Sequence, residues 1–120
     1  MLLACGDLVF IAHRRLYEND QPRFFAGVVD AYDAGVLKAT GYAWIRESVR
    51  GELRRKSDRR TKVVSIASVG LLIYQLPAGV DIEHLELNIG RDHTVILTDN
   101  AGFSMDLTDR NSAARLGSAA

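Results

Sequence analysis

Residues 36–46, VLKATGYAWIR, alternate with a period of two. Leu37, Ala39, Gly41, Ala43 and Ile45 fall on one side, and Lys38, Thr40, Tyr42, Trp44 and Arg46 on the other. Successive side chains of an extended strand point to opposite faces, so this is a strand with two different surfaces. The first set is small and apolar, suited to the inside of a narrow, bent barrel, and Gly41 is where such a strand can kink. The same period runs through most of the chain. Residues 8–14 (LVFIAHR) are apolar and rich in β-branched side chains. A polar turn, YENDQPR, leads into 24–32 (FFAGVVDAY), and Asp33-Ala34-Gly35 makes the next tight turn. Residues 62–68 (KVVSIAS) and 71–76 (LLIYQL) read as two buried strands joined by a very short turn at Val69-Gly70, with Pro77 ending the second.

Cleaner alternation follows. Leu85, Leu87 and Ile89 oppose His84, Glu86 and Asn88; GRD at 90–92 turns the chain into 93–98, which sets Ile89 opposite His93. DNAG at 99–102 leads to 103–108, where Phe103, Met105 and Leu107 oppose Ser104, Asp106 and Thr108. Such alternation belongs to antiparallel sheet with one wet face. The sole helix candidate, 46–57, offers only Val49 and Leu53 as an apolar pair and carries Gly51 in its middle, so it is read as loop. About eight short strands predict an all-β barrel or sandwich. A chain of 120 residues, 48% hydrophobic and 25% charged, suits one soluble domain over residues 1–110, with a flexible tail over 111–120. The single cysteine, Cys5, excludes an intrachain disulfide and fits a cytoplasmic setting. Leu2-Leu3-Ala4-Cys5 has the look of a lipoprotein cleavage box, but the basic start and the apolar run of ~7–15 residues are missing. No apolar stretch approaches the ~20 residues of a membrane span.

The net charge of zero conceals an asymmetry. Residues 46–62 hold eight Lys/Arg against three Asp/Glu, and residues 81–110 hold seven acids against two arginines. Residues 54–62, RRKSDRRTK, concentrate Arg54, Arg55, Lys56, Arg59, Arg60 and Lys62. Such a strip can neutralise several phosphates in a salt-sensitive, sequence-blind way. Tyr42 and Trp44 share a strand face with Lys38 and Arg46 just before it, and aromatics interleaved with cations make a platform for stacking single-stranded bases. The alternatives are a solvated loop, with Tyr42 and Trp44 covering the second side of a bent strand, or contact with an acidic surface such as another subunit's C-terminal strands.

Residues 25–36, FAGVVDAYDAGV, resemble the first motif of the Sm-like family, with Phe25, Gly27, Val29, Asp33 and Val36 on its marked positions. IASVGLLIY at 66–74 resembles the second motif, and together the match spans residues 7–77. The resemblance implies a small, strongly bent Sm-like or SH3-like barrel, to which the last three strands, within 83–108, add an antiparallel extension. It also implies homo-oligomeric rings in which the fourth strand of one subunit pairs with the fifth of the next, here 62–68 with 71–76. Val64, Ile66, Leu71 and Ile73 are the interface residues on this reading. Two short apolar strands with bare edges invite pairing on physical grounds as well. The family's uridine-binding positions fall here on Gly35, Leu37 and Ala67, whose side chains neither stack on nor hydrogen-bond a base.

Catalytic patterns are absent. His13, His84 and His93 have no metal-ligand spacing, Ser65 and Ser68 lack a nucleophile elbow, and no Gly-rich phosphate loop occurs. RKSDR at 55–59 gives the Arg-x-x-x-Arg of PilZ-type cyclic-dinucleotide receptors, but their Asp/Asn-x-Ser-x-x-Gly shrinks here to ASVG at 67–70. The sequence thus predicts a non-catalytic, oligomerising small barrel without cofactor or metal. Its alternative is nucleic-acid binding through Arg54, Arg55, Arg59, Arg60, Lys62, Tyr42 and Trp44.

Overall fold

Strands β1 (Leu8–His13), β2 (Arg23–Asp33), β3 (Val36–Arg46), β4 (Leu53–Arg55), β5 (Arg60–Ser65) and β6 (Leu71–Leu76) form one antiparallel sheet. A computed structural model describes residues 2–13, 23–46, 53–89 and 94–107 of the chain. The strand order is β4-β3-β2-β1-β6, with β5 also on β3. A 3-10 turn, Ile82–His84, leads to a second sheet of β7 (Glu86–Ile89), β8 (Val95–Thr98) and β9 (Ser104–Asp106). The chain is therefore all-β, but the large sheet stays open. Among the described residues β6 ends it on one side, β4 and β5 end it on the other, and no ladder joins β5 to β6.

The alternation of β3 sorts as its sequence predicts, and its neighbours follow. Leu37, Ala39 and Ala43 pack with Val9, Ile11, Phe25 and Val29 on one face, called inner below. Tyr42 and Trp44 pack with Phe10 and Ala26 on the other, outer face, together with Leu85, Leu87 and Leu97 of the C-terminal segment. The second sheet thus lies against the outer face of the first. Each fully buried Leu or Phe contributes ~1.5–3 kcal/mol relative to exposure, whereas an exposed ion pair contributes ~0–1 kcal/mol. Apolar contact, not charge, holds the two layers together.

The middle of the large sheet is set by two facing glycines. Gly27 of β2 pairs with Gly41 of β3. A Cβ on Gly41 would overlap the carbonyl oxygen of Ala26 and lie 2.5 Å from the Gly27 Cα, while one on Gly27 would lie 2.6 Å from the Thr40 carbonyl oxygen. The backbones approach so closely that neither position accepts a side chain. Two residues on, the register slips between Val29 and Ala31, making Asp30 a bulge. The N-terminal segment fills the gap: Gly6 N–H donates to Val29 O and Val29 N–H to Asp7 O, both at 2.8 Å. The β2–β3 connection is the expected tight turn, with Ala34 at φ 50° and Gly35 at φ 80° between the paired Asp33 and Val36.

Other expectations shift. Residues 53–55, read as loop, add to β3 as β4, and β5 runs over 60–65 rather than 62–68. The third strand from the C-terminus begins only at Glu86, because Asp81 caps a turn by accepting from Glu83 N–H at 3.1 Å. Ile89 pairs with Val95, not with His93, so the connection is longer than a three-residue GRD turn. His93 and residues 108–120 lie outside the described residues. No helix among the described residues is long and apolar enough to cross a membrane.

The turn before β9 is organised by Asp99, the one charged residue among the buried described side chains, at 4% exposed. Its Oδ1 accepts from the N–H groups of Ala101 at 2.9 Å and Phe103 at 3.1 Å, and its Oδ2 from Asp81 N–H at 3.3 Å. The first of these hydrogen bonds does most to hold the carboxyl below the ordinary aspartate value, against the opposing effect of burial.

Gly41→Ala should cost about 3 kcal/mol or more, because backbone must move to admit the methyl. Gly79→Ala, whose Cβ meets nothing within 4 Å, should change stability by less than about 0.5 kcal/mol. Urea midpoints of the two variants measure the difference. Because the folded-state value of Asp99 is depressed, its contribution is complete above the unfolded value of about 3.9 and disappears as pH falls through the lowered one. Asp99→Asn should flatten the acid limb of stability against pH in that window, read as urea midpoints from pH 5 downward.

Candidate functional site

The basic strip is not a free loop but an interrupted edge strand. Arg55 pairs with Trp44 and Arg54 with Ile45; the chain then breaks over 56–59 and rejoins β3 with Arg60 opposite Gly41 and Lys62 opposite Ala39. Lys56 N–H donates to Ala43 O at 2.8 Å and keeps the break against β3. Residues paired across a ladder share a face. The period of two therefore divides the strip: Arg55 falls on the outer face with Trp44, and Arg60 and Lys62 on the inner face with Gly41 and Ala39.

On the outer face the cations are engaged. Tyr42 donates its hydroxyl to Glu83 Oε2 at 2.6 Å, and Arg55 Nη1 donates to the Glu83 carbonyl at 2.6 Å. Arg55 lies 4.6 Å and Arg59 5.7 Å from the Tyr42 ring centroid, and Arg59 Nη2 is 3.4 Å from Glu83 Oε1. The cluster ties β3 and the strip to the 3-10 turn that introduces the second sheet. Acceptance of its proton by Glu83, more than burial, raises the Tyr42 phenol above its ordinary value. Trp44 is 2% exposed and Tyr42 9%, so both rings face the core and present no open stacking platform. The two arginines of the Arg-x-x-x-Arg spacing, Arg55 and Arg59, both turn onto Tyr42 and Glu83. Part of the basic and acidic asymmetry is thereby satisfied within one chain.

On the inner face the cations gather. Arg23 of β2, Lys56, Arg60 and Lys62 line a cleft of about 250 Å³ together with Phe24, Ala43, Trp44 and Ile45. Arg60 Nε also donates to Asp58 at 2.9 Å. The Lys62 ammonium lies 5.2 Å from the Phe25 ring centroid. Burial first, then the charges of Arg23, Arg60 and Lys56, push Lys62 below the ordinary lysine value. His13, paired with Arg23, is lowered by burial and then by Lys62 and Arg23, and its Nε2 is buried without a partner among the described residues. Arg54 is exposed on β4. Arg23, His13 and Glu83 were not singled out from sequence as members of these groups; applying the period of two to 54–62 and 8–14 marks the faces on which they meet.

The proposed interface residues Val64, Ile66, Leu71 and Ile73 all pack on the inner apolar cluster. The apolar side chains left outside on the two end strands are their neighbours in sequence, Val63 at 64% exposed and Leu72 and Tyr74 at 36%. The larger cleft, about 640 Å³, lies between the sheets and holds His84 and Asp81, whose Nδ1 and Oδ2 are 2.5 Å apart, but no hydroxyl or thiol side chain among its described lining. Among the described residues no group of three His, Cys, Asp or Glu is arranged for a metal ion. No family model matches this chain, and neither a curated protein nor a solved structure shows significant similarity to it.

Glu83→Ala should return the Tyr42 phenol toward its ordinary value of about 10. In an alkaline absorbance titration of the four tyrosines, the highest-titrating step of the parent should move down in the variant.

Proposed function

We propose that this chain is a non-catalytic, self-assembling module of the Sm-like small-barrel type, joined to its neighbours through the ends of its large sheet. One observation carries the reading: β5 and β6, each six residues long, lie at opposite ends of the sheet, each with a ladder on one side only among the described residues. They are the strands that the Sm-like resemblance pairs between subunits. The close approach of β2 and β3 at Gly27 and Gly41, and the bulge beyond it, suit the strongly curved sheet of that family. An interface joining two different edges is heterologous and repeats, giving a ring where the rotation closes.

The energetics say what such an interface needs. A ladder of about six backbone hydrogen bonds contributes ~1 kcal/mol each, roughly 6 kcal/mol in all, against ~4–15 kcal/mol for lost translational and rotational freedom. Backbone pairing alone is marginal, so burial of Val63, Leu72 and Tyr74 at the junction has to supply the remainder. Their exposure on the end strands supports this role.

Light scattering of the purified chain at micromolar concentration should give a multiple of the single-chain mass. Val63→Glu combined with Leu72→Glu, both on exposed side chains, should give the single-chain mass with an unchanged far-ultraviolet circular dichroism spectrum. A single-chain mass for the parent overturns the proposal.

A further inference from the structure

We propose that the cleft between β2, β3 and β5, lined by Arg23, Lys56, Arg60 and Lys62, binds a small phosphate-bearing anion of the pyrophosphate class. This goes beyond the assembly reading and stands whether the chain is single or oligomeric. Four cations from two stretches of chain converge on one volume of about 250 Å³, and no carboxylate is among its described lining. Cations that merely solubilise an edge project apart into water. These are instead close enough that Arg23, Arg60 and Lys56 each depress the ionisation of Lys62, and Arg23 and Lys62 that of His13. The fold holds them there. Arg23 is opposite Ile45 on β2–β3 and Arg60 opposite Gly41 on β3–β5, so the two ladders hold both on the same face of the sheet. Lys62 rests its charge over the Phe25 ring and so cannot swing freely away.

The chemistry of the donors selects the ligand. Arg23 presents a planar fork that matches paired phosphate oxygens, Arg60, whose Nε donates to Asp58, offers its two Nη groups, and Lys56 and Lys62 supply point charges. The size of the cleft fits one or two phosphoryl groups and not a folded partner. Ala43 and Ile45, on the same face as Arg23, give one wall apolar character, which would exclude water from the bound anion and strengthen its hydrogen bonds. The opposite face of the same strip offers no such site, since Arg55 and Arg59 are already on Glu83 and Tyr42.

Titrating the full chain with inorganic pyrophosphate at low salt, by calorimetry, should show saturable binding accompanied by a rise in melting temperature. Arg23→Gln combined with Arg60→Gln should weaken it at least about tenfold, as removal of charge-assisted hydrogen bonds does. Lys62→Met, which keeps the apolar stem against Phe25, should weaken it as well, while Lys38→Gln on the exposed outer side of β3 should leave it unchanged. Should Lys62→Met fail to fold, the Arg23 and Arg60 pair, on exposed side chains, carries the test. Absence of saturable binding, or equal loss in Lys38→Gln, overturns the proposal. A mixed-sequence single-stranded oligonucleotide that binds through these residues while pyrophosphate does not also overturns it, in favour of a nucleic-acid backbone.

Discussion

The close approach of Gly27 and Gly41 is the constraint from which the rest of the molecule follows. Two backbones without side chains between them bring β2 and β3 into contact that even a methyl group would prevent. Because both strands keep their alternation through this point, each continues to present two apolar faces. The inner face is small at its centre, with Ala39 and Ala43 flanking Gly41, and bulky at its borders, with Phe25, Leu37 and Val29. The outer face carries the large rings of Phe10, Tyr42 and Trp44 and would be an extensive exposed apolar surface if left bare. The C-terminal sheet is the cover that this surface demands.

Covering the outer face also decides what the basic strip can do. Once β7 and the 3-10 turn lie over Tyr42 and Trp44, the outward-facing arginines meet Glu83 and become part of the joint between the layers. Only the inward-facing half remains available to an external anion. A single run of six cations in nine residues thus has two unrelated physical roles, separated by nothing more than the direction in which alternate side chains of a strand point.

Much of this was legible in the residues. The alternation of Leu37 to Arg46, the glycine at 41, the tight turn at Ala34-Gly35 and the paired apolar positions from Leu85 to Leu107 all carry local signals that do not depend on distant partners. What escaped was everything set by pairing. Charge masks strand propensity at 54–61, so the sequence shows no parity there, and Arg55 stands beside Arg60 in the strip although they lie on opposite faces. Tyr42 and Trp44 read as a stacking platform because an aromatic residue beside cations looks alike whether a second sheet covers it or not. Apolar strands such as those of Val64, Ile66, Leu71 and Ile73 show which residues are sticky but not which side the core occupies; within one chain all four pack, half-buried, against the inner cluster. Arg23 carries no sequence signal of its role, since it lies more than thirty positions from the strip and only the β2–β3 ladder brings it near.

The position of β1 has a consequence for how the chain reaches this state. It lies between β2, close in sequence, and β6, which pairs residues 71–76 back onto residues 8–13. β1, β2 and β3 can assemble as soon as they exist, but the far side of β1 stays unpaired until β6, about sixty residues away along the chain, has been made and ordered. Closing a loop of that length before its contacts reward it is what slows β-rich domains to the ~ms–s range. The long separation of β1 from β6 makes the return of the sixth strand the slow step to expect, and until it arrives the ring of Phe10 lacks its contact with Tyr74.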